Sequence, residues 1–190
     1  ATQLEHKRVN DHLRAMVQEG FKAAVTDPLM GLYNRRYAMT HLCHQFQRAT
    51  QGQTALALFV PDLDFFKRVN DTYGHAAGDQ VLRRVAKLLQ HVSRASDMVA
   101  RVVGEEFLVV LPGASAEIAG NIAERVCTMI RRLKIAPNLI KITASIDVSL
   151  RYNAAQTHVH LTAQELLKQA DRALYRAKAM GRDRVSYFAD

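Results

Sequence analysis

Apolar positions along the chain follow two periods, and their alternation lays out the elements. Val81, Leu82, Val85, Leu88 and Leu89 recur at helical spacing and predict an amphipathic helix over 77–91. Ile118, Ile122, Val126, Met129, Ile130 and Leu133 do the same over 115–134. Between these helices the period changes. The run Ala55–Val60 predicts a buried strand over 54–62. Met98-Val99-Ala100 and Leu108-Val109-Val110-Leu111 flank a short Gly-containing turn, which reads as a β-hairpin over 98–111. Ile142, Ala144, Ile146 and Val148 alternate as a strand within 140–150, a helix follows over 163–180 until Gly181, and Arg184–Phe188 closes as an edge strand. Upstream, Pro28 and Gly31 interrupt the chain, and Asn34 is placed to cap a helix reaching Arg48. Residues 1–25 carry an incomplete stripe (Leu4, Val9, Leu13, Met16, Val17, Phe21) that suits either a helix packed on its own domain or a signalling linker.

The core order is β-α-β-β-α-β, the split βαβ of an α+β, ferredoxin-like fold. That plan puts the first strand and both hairpin strands side by side in the sheet centre, with Asp62 and Glu105 at one edge. Composition fits one domain of ordinary size plus an extension: 190 residues, 48% apolar. No run reaches the roughly 18 consecutive apolar residues of a membrane span. Two cysteines, Cys43 and Cys127, form no CxxC and point to reduced thiols rather than a disulfide framework or a zinc site. The net charge of +8 admits a nucleic-acid partner, but the basic residues are scattered and suit triphosphate handling as well. We expect no DNA or RNA partner, no membrane contact and a soluble cytoplasmic module. An opening Ala1 in place of Met suggests a segment of a longer protein.

Two acidic clusters carry the chemistry. Glu105-Glu106 sit at the hairpin tip, where burial is costly without a cation. Asp62-Leu63-Asp64 end the first strand. Together they suit a hard cation such as Mg²⁺ and a phosphate substrate.

Three stretches carry a family resemblance. They are Asp62-Leu63-Asp64-Phe65-Phe66-Lys67-Arg68-Val69-Asn70-Asp71, Tyr73-Gly74-His75-Ala76-Ala77-Gly78-Asp79, and the hairpin Val103-Gly104-Glu105-Glu106-Phe107. The chain resembles GGDEF domains of the diguanylate cyclase family over residues 26–188, with 1–25 as a linker helix and 26–190 as the domain. The resemblance implies condensation of two GTP into cyclic di-GMP and pyrophosphate by a homodimer. It implies Mg²⁺, with Mn²⁺ as an alternative, on Asp62, the Leu63 carbonyl and Glu105. Glu105 would also be the base for the 3′-hydroxyl, and Glu106 would contact a second metal. Asn70 and Asp79 would read guanine, Phe66 and Gly104 would lie along the nucleotide, and Lys67 would join Glu105 and Glu106 in catalysis. Lys178 and Arg182, four apart, would grip phosphates, from one helix face if the helix or its last turn persists. Arg94-Ala95-Ser96-Asp97 matches the family's inhibitory site for cyclic di-GMP. His75 reads as a structural loop residue. An upstream sensor or receiver domain would supply the input.

Two departures from the family pattern matter. Val103 stands where the family has its first motif Gly. If that position needs positive φ, a β-branched residue costs about 1 to 3 kcal/mol, a slowing of roughly 5- to 150-fold; a side chain in the nucleotide's path could exclude GTP altogether. Asp147 also replaces a usual Gly, and is expected to loosen local packing or to face solvent on an edge. The sequence therefore leaves two readings open, a cyclase or an impaired domain that binds cyclic di-GMP as a receptor.

Overall fold

The computed structural model describes residues 2–52, 54–136, 139–151, 165 and 177–187. Helix α1 (Thr2–Val25) leads through a turn to α2 (Arg35–Gln51). The Asn34 side chain accepts the Tyr37 N–H at 3.0 Å, the N-cap its sequence position suggested. Then follow β1 (Leu56–Leu63), α3 (Phe66–Tyr73), α4 (His75–Val92), β2 (Met98–Val103), β3 (Glu106–Pro112), α5 (Ala116–Arg132), β4 (Ala144–Arg151) and β5 (Val185–Tyr187). The helix expected over 163–180 lies mostly outside the described residues, although 165 and 177–179 are helical.

The sheet runs β2-β3-β1-β4-β5, with β5 parallel to β4 and the other pairs antiparallel. The α+β class and the ferredoxin-like order hold, extended by one parallel strand. One placement is corrected: β2 is an edge strand, not a central one. Its free edge is covered by the turn before α2, where Tyr33 exchanges backbone hydrogen bonds with Val99 and Arg101. A short bridge of this kind blunts an edge that would otherwise recruit another strand.

β1 is buried along its whole length because both faces are covered. Ala57, Phe59 and Leu63 pack in the layer of α4 and α5; Leu56, Leu58 and Val60 pack against α2. Asp62 and Asp64 continue the second face beyond the apolar residues. Asp147 is also corrected. It lies within β4, flanked by β1 and β5, fully buried, and accepts from Ser149 and Ser186 hydroxyls at 3.4 and 3.5 Å. Hydroxyl neighbours let a carboxylate occupy that interior position.

Of the stripe on α1, Val9, Leu13, Met16 and Val17 do not pack on their own domain, while Phe21 faces it across a cavity. Val9, Leu13, Met16, Val17 and Phe21 are 53–70% exposed. Among the described residues, no helix is long and apolar enough to cross a membrane.

Candidate active site

A cavity of about 310 Å³ opens between α3, α4 and the hairpin tip, lined by Phe66, Lys67, Asn70, His75, Asp79, Leu82, Arg101, Gly104 and Glu105. Six residues expected at the site from sequence, drawn from three elements, thus share one concavity. Local geometry explains how. Gly74, at φ +82, lets α3 end and α4 begin within one residue. Gly78 sits inside α4, where a Cβ would overlap the Asn70 carboxamide oxygen and come within 3.1 Å of the Phe66 ring. The missing side chain is what allows Asn70 to stand beside Asp79. His75 is not in a loop; it is the first residue of α4 and lines the cavity.

The two carboxylates at the end of β1 are equally buried, at 3% exposure each, and differently partnered. Asp64 accepts from Thr143 Oγ1 and Ser145 Oγ, both at 2.7 Å, and from the Asp183 N–H at 3.0 Å. Asp62 accepts from Lys178 Nζ at 2.8 Å. Burial pushes the Asp62 carboxyl above its usual range; Lys178 pulls it back, and the charges of Glu105 and Asp64 add to the rise. Asp62 pairs with Glu106 across the β1–β3 ladder, and the Leu63 N–H donates to the Glu105 carbonyl at 3.4 Å. The acidic strand end and the acidic tip therefore meet.

Lys178 and Arg182 do not share a helix face. The helix stops at residue 179, Gly181 takes φ +107, and the Arg182 N–H returns to the Ala177 carbonyl at 3.0 Å, closing a Schellman motif. Arg182 itself has φ +62, and its guanidinium stands 4.6 Å from the centre of the Phe65 ring. Phe65 leads into α3 at φ +55, a strained conformation for an aromatic residue. Nothing in its sequence neighbourhood announced that.

The backbone argument against Val103 is overturned. Val103 is the last residue of β2, paired with Glu106, and the positive φ at the tip, +53, belongs to Gly104. The chain keeps a glycine where the turn requires one. Val103 is 56% exposed, so its remaining influence is steric.

Sequence reasoning also missed Arg101. It pairs with Asp27 at 3.0 Å and donates from Nε to the Gly104 carbonyl at 2.9 Å, tying the segment after α1 to the hairpin tip. A lone Arg in an apolar strand facing the acidic turn was the available signal.

Arg94 and Asp97 lie elsewhere, in the turn between α4 and β2. The Arg94 N–H donates to Asp97 Oδ2 at 2.7 Å, and the Asp97 N–H returns to the Arg94 carbonyl at 3.0 Å. Both line a second cavity of about 470 Å³, whose far wall is Phe21, Lys22 and Val25 of α1. That wall was not legible in the RxxD spacing. Arg125 of α5 reaches the Val92 carbonyl at 3.4 Å and adds a cation close by.

The donors present fit a hard cation. Among the described residues, no three His, Cys, Asp or Glu side chains gather as a protein-only metal cage. Asp62, the Leu63 carbonyl and Glu105 offer oxygen only, the sparse set with which Mg²⁺ is held when substrate phosphates and water complete its shell. Asp62 already binds one positive charge here, the Lys178 ammonium.

Three comparisons with known proteins place the chain in a family. The family model described as "Diguanylate cyclase, GGDEF domain" matches residues 24–184. The response regulator PleD of Caulobacter vibrioides is 39% identical over 188 residues, covering 97% of this chain and 40% of PleD. Diguanylate cyclase A of Treponema denticola is 38% identical over 165 residues, covering 85% of this chain and 43% of that protein. This chain thus spans less than half of either relative. Among solved structures, the coiled coil and GGDEF domain of DgcB from Caulobacter crescentus, in complex with c-di-GMP, superposes with a TM-score of 0.87 at 29% identity, covering 98% of this chain and 97% of that one.

Proposed function

The chain belongs to the GGDEF family of diguanylate cyclases, and from that premise we propose that it condenses two GTP into cyclic di-GMP and pyrophosphate. The observation that carries the reading is the single cavity gathering Phe66, Lys67, Asn70, Asp79, Gly104 and Glu105. We take 1–25 as the linker and 26–190 as the domain, working in the cytoplasm downstream of a sensor or receiver domain.

In this reading Asn70 and Asp79 hold the guanine edge. Asp accepts from the N1 and N2 hydrogens of guanine, and the Asn carboxamide offers a donor and an acceptor. Lys67 and the N–H groups opening α3 face the phosphates. Mg²⁺, or Mn²⁺ in its place, on Asp62, the Leu63 carbonyl and Glu105, with Glu106 near a second ion, would neutralise the triphosphate and polarise its α-phosphate. Glu105 takes the proton of the 3′-hydroxyl. The 3′-oxygen then forms a bond to the α-phosphorus of the facing GTP, and the bond to pyrophosphate breaks. One domain presents one GTP, so closing both bonds takes two domains face to face. The exposed stripe on α1 supports a dimer, since apolar residues at helical spacing are covered when two such helices pair.

Arg94 and Asp97 have their own cavity, which favours product inhibition there. Arg supplies a planar fork for guanine and phosphate, and Asp accepts from guanine N–H. The same cavity supports the second reading, a cyclic di-GMP receptor, should Val103 exclude GTP.

The test is incubation with GTP and Mg²⁺ at high protein concentration, with nucleotides resolved by chromatography. Glu105→Gln should cut product formation by about 10³-fold with the fold intact. Unchanged synthesis in that variant would remove Glu105 from the mechanism.

A further inference from the structure

Asp62 sits where the fold cannot leave a carboxylate bare, because an unpaired buried charge is expensive. Two residues away Asp64 meets that demand with neutral donors, the hydroxyls of Thr143 and Ser145 at the start of β4 and the Asp183 N–H ahead of β5. Among the described residues, Asp62 meets it with one mobile cation, Lys178. The Lys178 backbone is fixed, because the Schellman closure through Ala177 and Arg182 pins the helix end on either side of it. Its side chain is about one-third exposed (35%) on a flexible four-carbon stem. The ammonium can therefore leave while the backbone stays.

We infer that Lys178 is a tethered counter-ion that keeps the Asp62 seat closed until a divalent metal displaces it. The inference rests on the metal assignment above and deepens it. An ammonium 2.8 Å from Asp62 Oδ2 occupies the space that a cation at about 2.1 Å from the same oxygen requires. Two positive charges at one carboxylate repel, so metal arrival expels Lys178. The freed ammonium then has the incoming triphosphate as its nearest large negative charge. Metal and nucleotide binding are thereby coupled through one side chain. By reciprocity, a triphosphate that draws Lys178 away opens the seat for metal. In the absence of nucleotide the seat prefers its own lysine, which neutralises Asp62 without metal and keeps free Mg²⁺ weakly bound.

The experiment is Mn²⁺ binding to nucleotide-free protein, read from the electron paramagnetic resonance signal of free Mn²⁺. Lys178→Met should bind Mn²⁺ on the order of tenfold more tightly than the unaltered chain, since the competing charge is gone. Unchanged or weaker binding in a folded Lys178→Met overturns the inference. Asp62→Asn separates it from the metal assignment. If that variant binds Mn²⁺ as the parent does, the metal seat itself is misplaced; if it loses Mn²⁺ while Lys178→Met gains nothing, the lysine alone is misread. A second measurement needs no destabilising change. In ¹⁵N-lysine spectra of the parent chain, the Lys178 ammonium, assigned with Lys178→Arg, should shift toward the exposed lysines as Mg²⁺ is added. A signal that stays put at saturating Mg²⁺ contradicts the displacement.

Discussion

Asp62, near the end of β1, and Asp64, one residue past it, are equally buried, and they do opposite things. Asp64 is saturated. Two hydroxyls and a backbone N–H converge on it from Thr143, Ser145 and Asp183, so it clamps β1 to the segment entering β4 and to the chain entering β5. Among the described residues, Asp62 is held by the Lys178 amine alone, and burial raises its carboxyl in spite of that amine. A fully satisfied carboxylate is architecture. A buried carboxylate with a replaceable cation is a site.

The sharpest way to break this contrast is by substitution at each position. Asp64→Ala leaves the Thr143 and Ser145 hydroxyls and the Asp183 N–H without their acceptor, and should cost about 3 to 5 kcal/mol of stability in denaturant melts. Asp62→Asn removes a buried charge and leaves Lys178 free to reach water, so its cost should stay within about 1 kcal/mol while metal binding is lost. Equal destabilisation by both would erase the distinction. Gly78→Ala tests the cavity at smaller scale. Its Cβ collides with Asn70, so the KM for GTP should rise by about tenfold, the loss of one to two hydrogen bonds, with a smaller change in kcat. Least in effect is the thiol pair. Burial pushes the Cys127 thiol up to about 11, with the Asp183 charge adding to the rise and the Arg131 guanidinium opposing it. The folded state keeps that proton, so its stabilising contribution is intact below pH 9 and is lost between pH 9 and about 11. At pH 8 a disulfide exchange reagent should therefore modify half-buried Cys43 first, and Cys127 only on unfolding.

The same contrast marks how far the sequence could be read. Apolar periodicity located β1, the hairpin, α4 and α5, because burial on a regular element leaves a regular trace. The order β-α-β-β-α-β then implied the approach of Asp62 to the hairpin. What the sequence did not show were relations set by backbone angles and by distant partners. The turn at Val103-Gly104 looked damaged, because a motif lists residues and not dihedrals; the strained angle fell one residue later, on a glycine that is present. Lys178 and Arg182 looked like neighbours on a helix, because four-residue spacing is silent about where the helix stops. Asp147 looked like a misfit, because its Ser149 and Ser186 partners come together only once β4 and β5 pair. Arg101 pairs with Asp27, 74 residues away, a separation that no local pattern reports.

With the strained angle assigned to Gly104, we expect Val103 to slow this domain without disabling it. The direct measurement is cyclic di-GMP formation from GTP and Mg²⁺ by the unaltered chain and by Val103→Gly, side by side at the same high protein concentration. Product from both, with rates within about tenfold, or about 1.4 kcal/mol of barrier, is the expected result. Product from Val103→Gly alone would contradict the claim and leave the natural chain as a receptor for the nucleotide its relatives make.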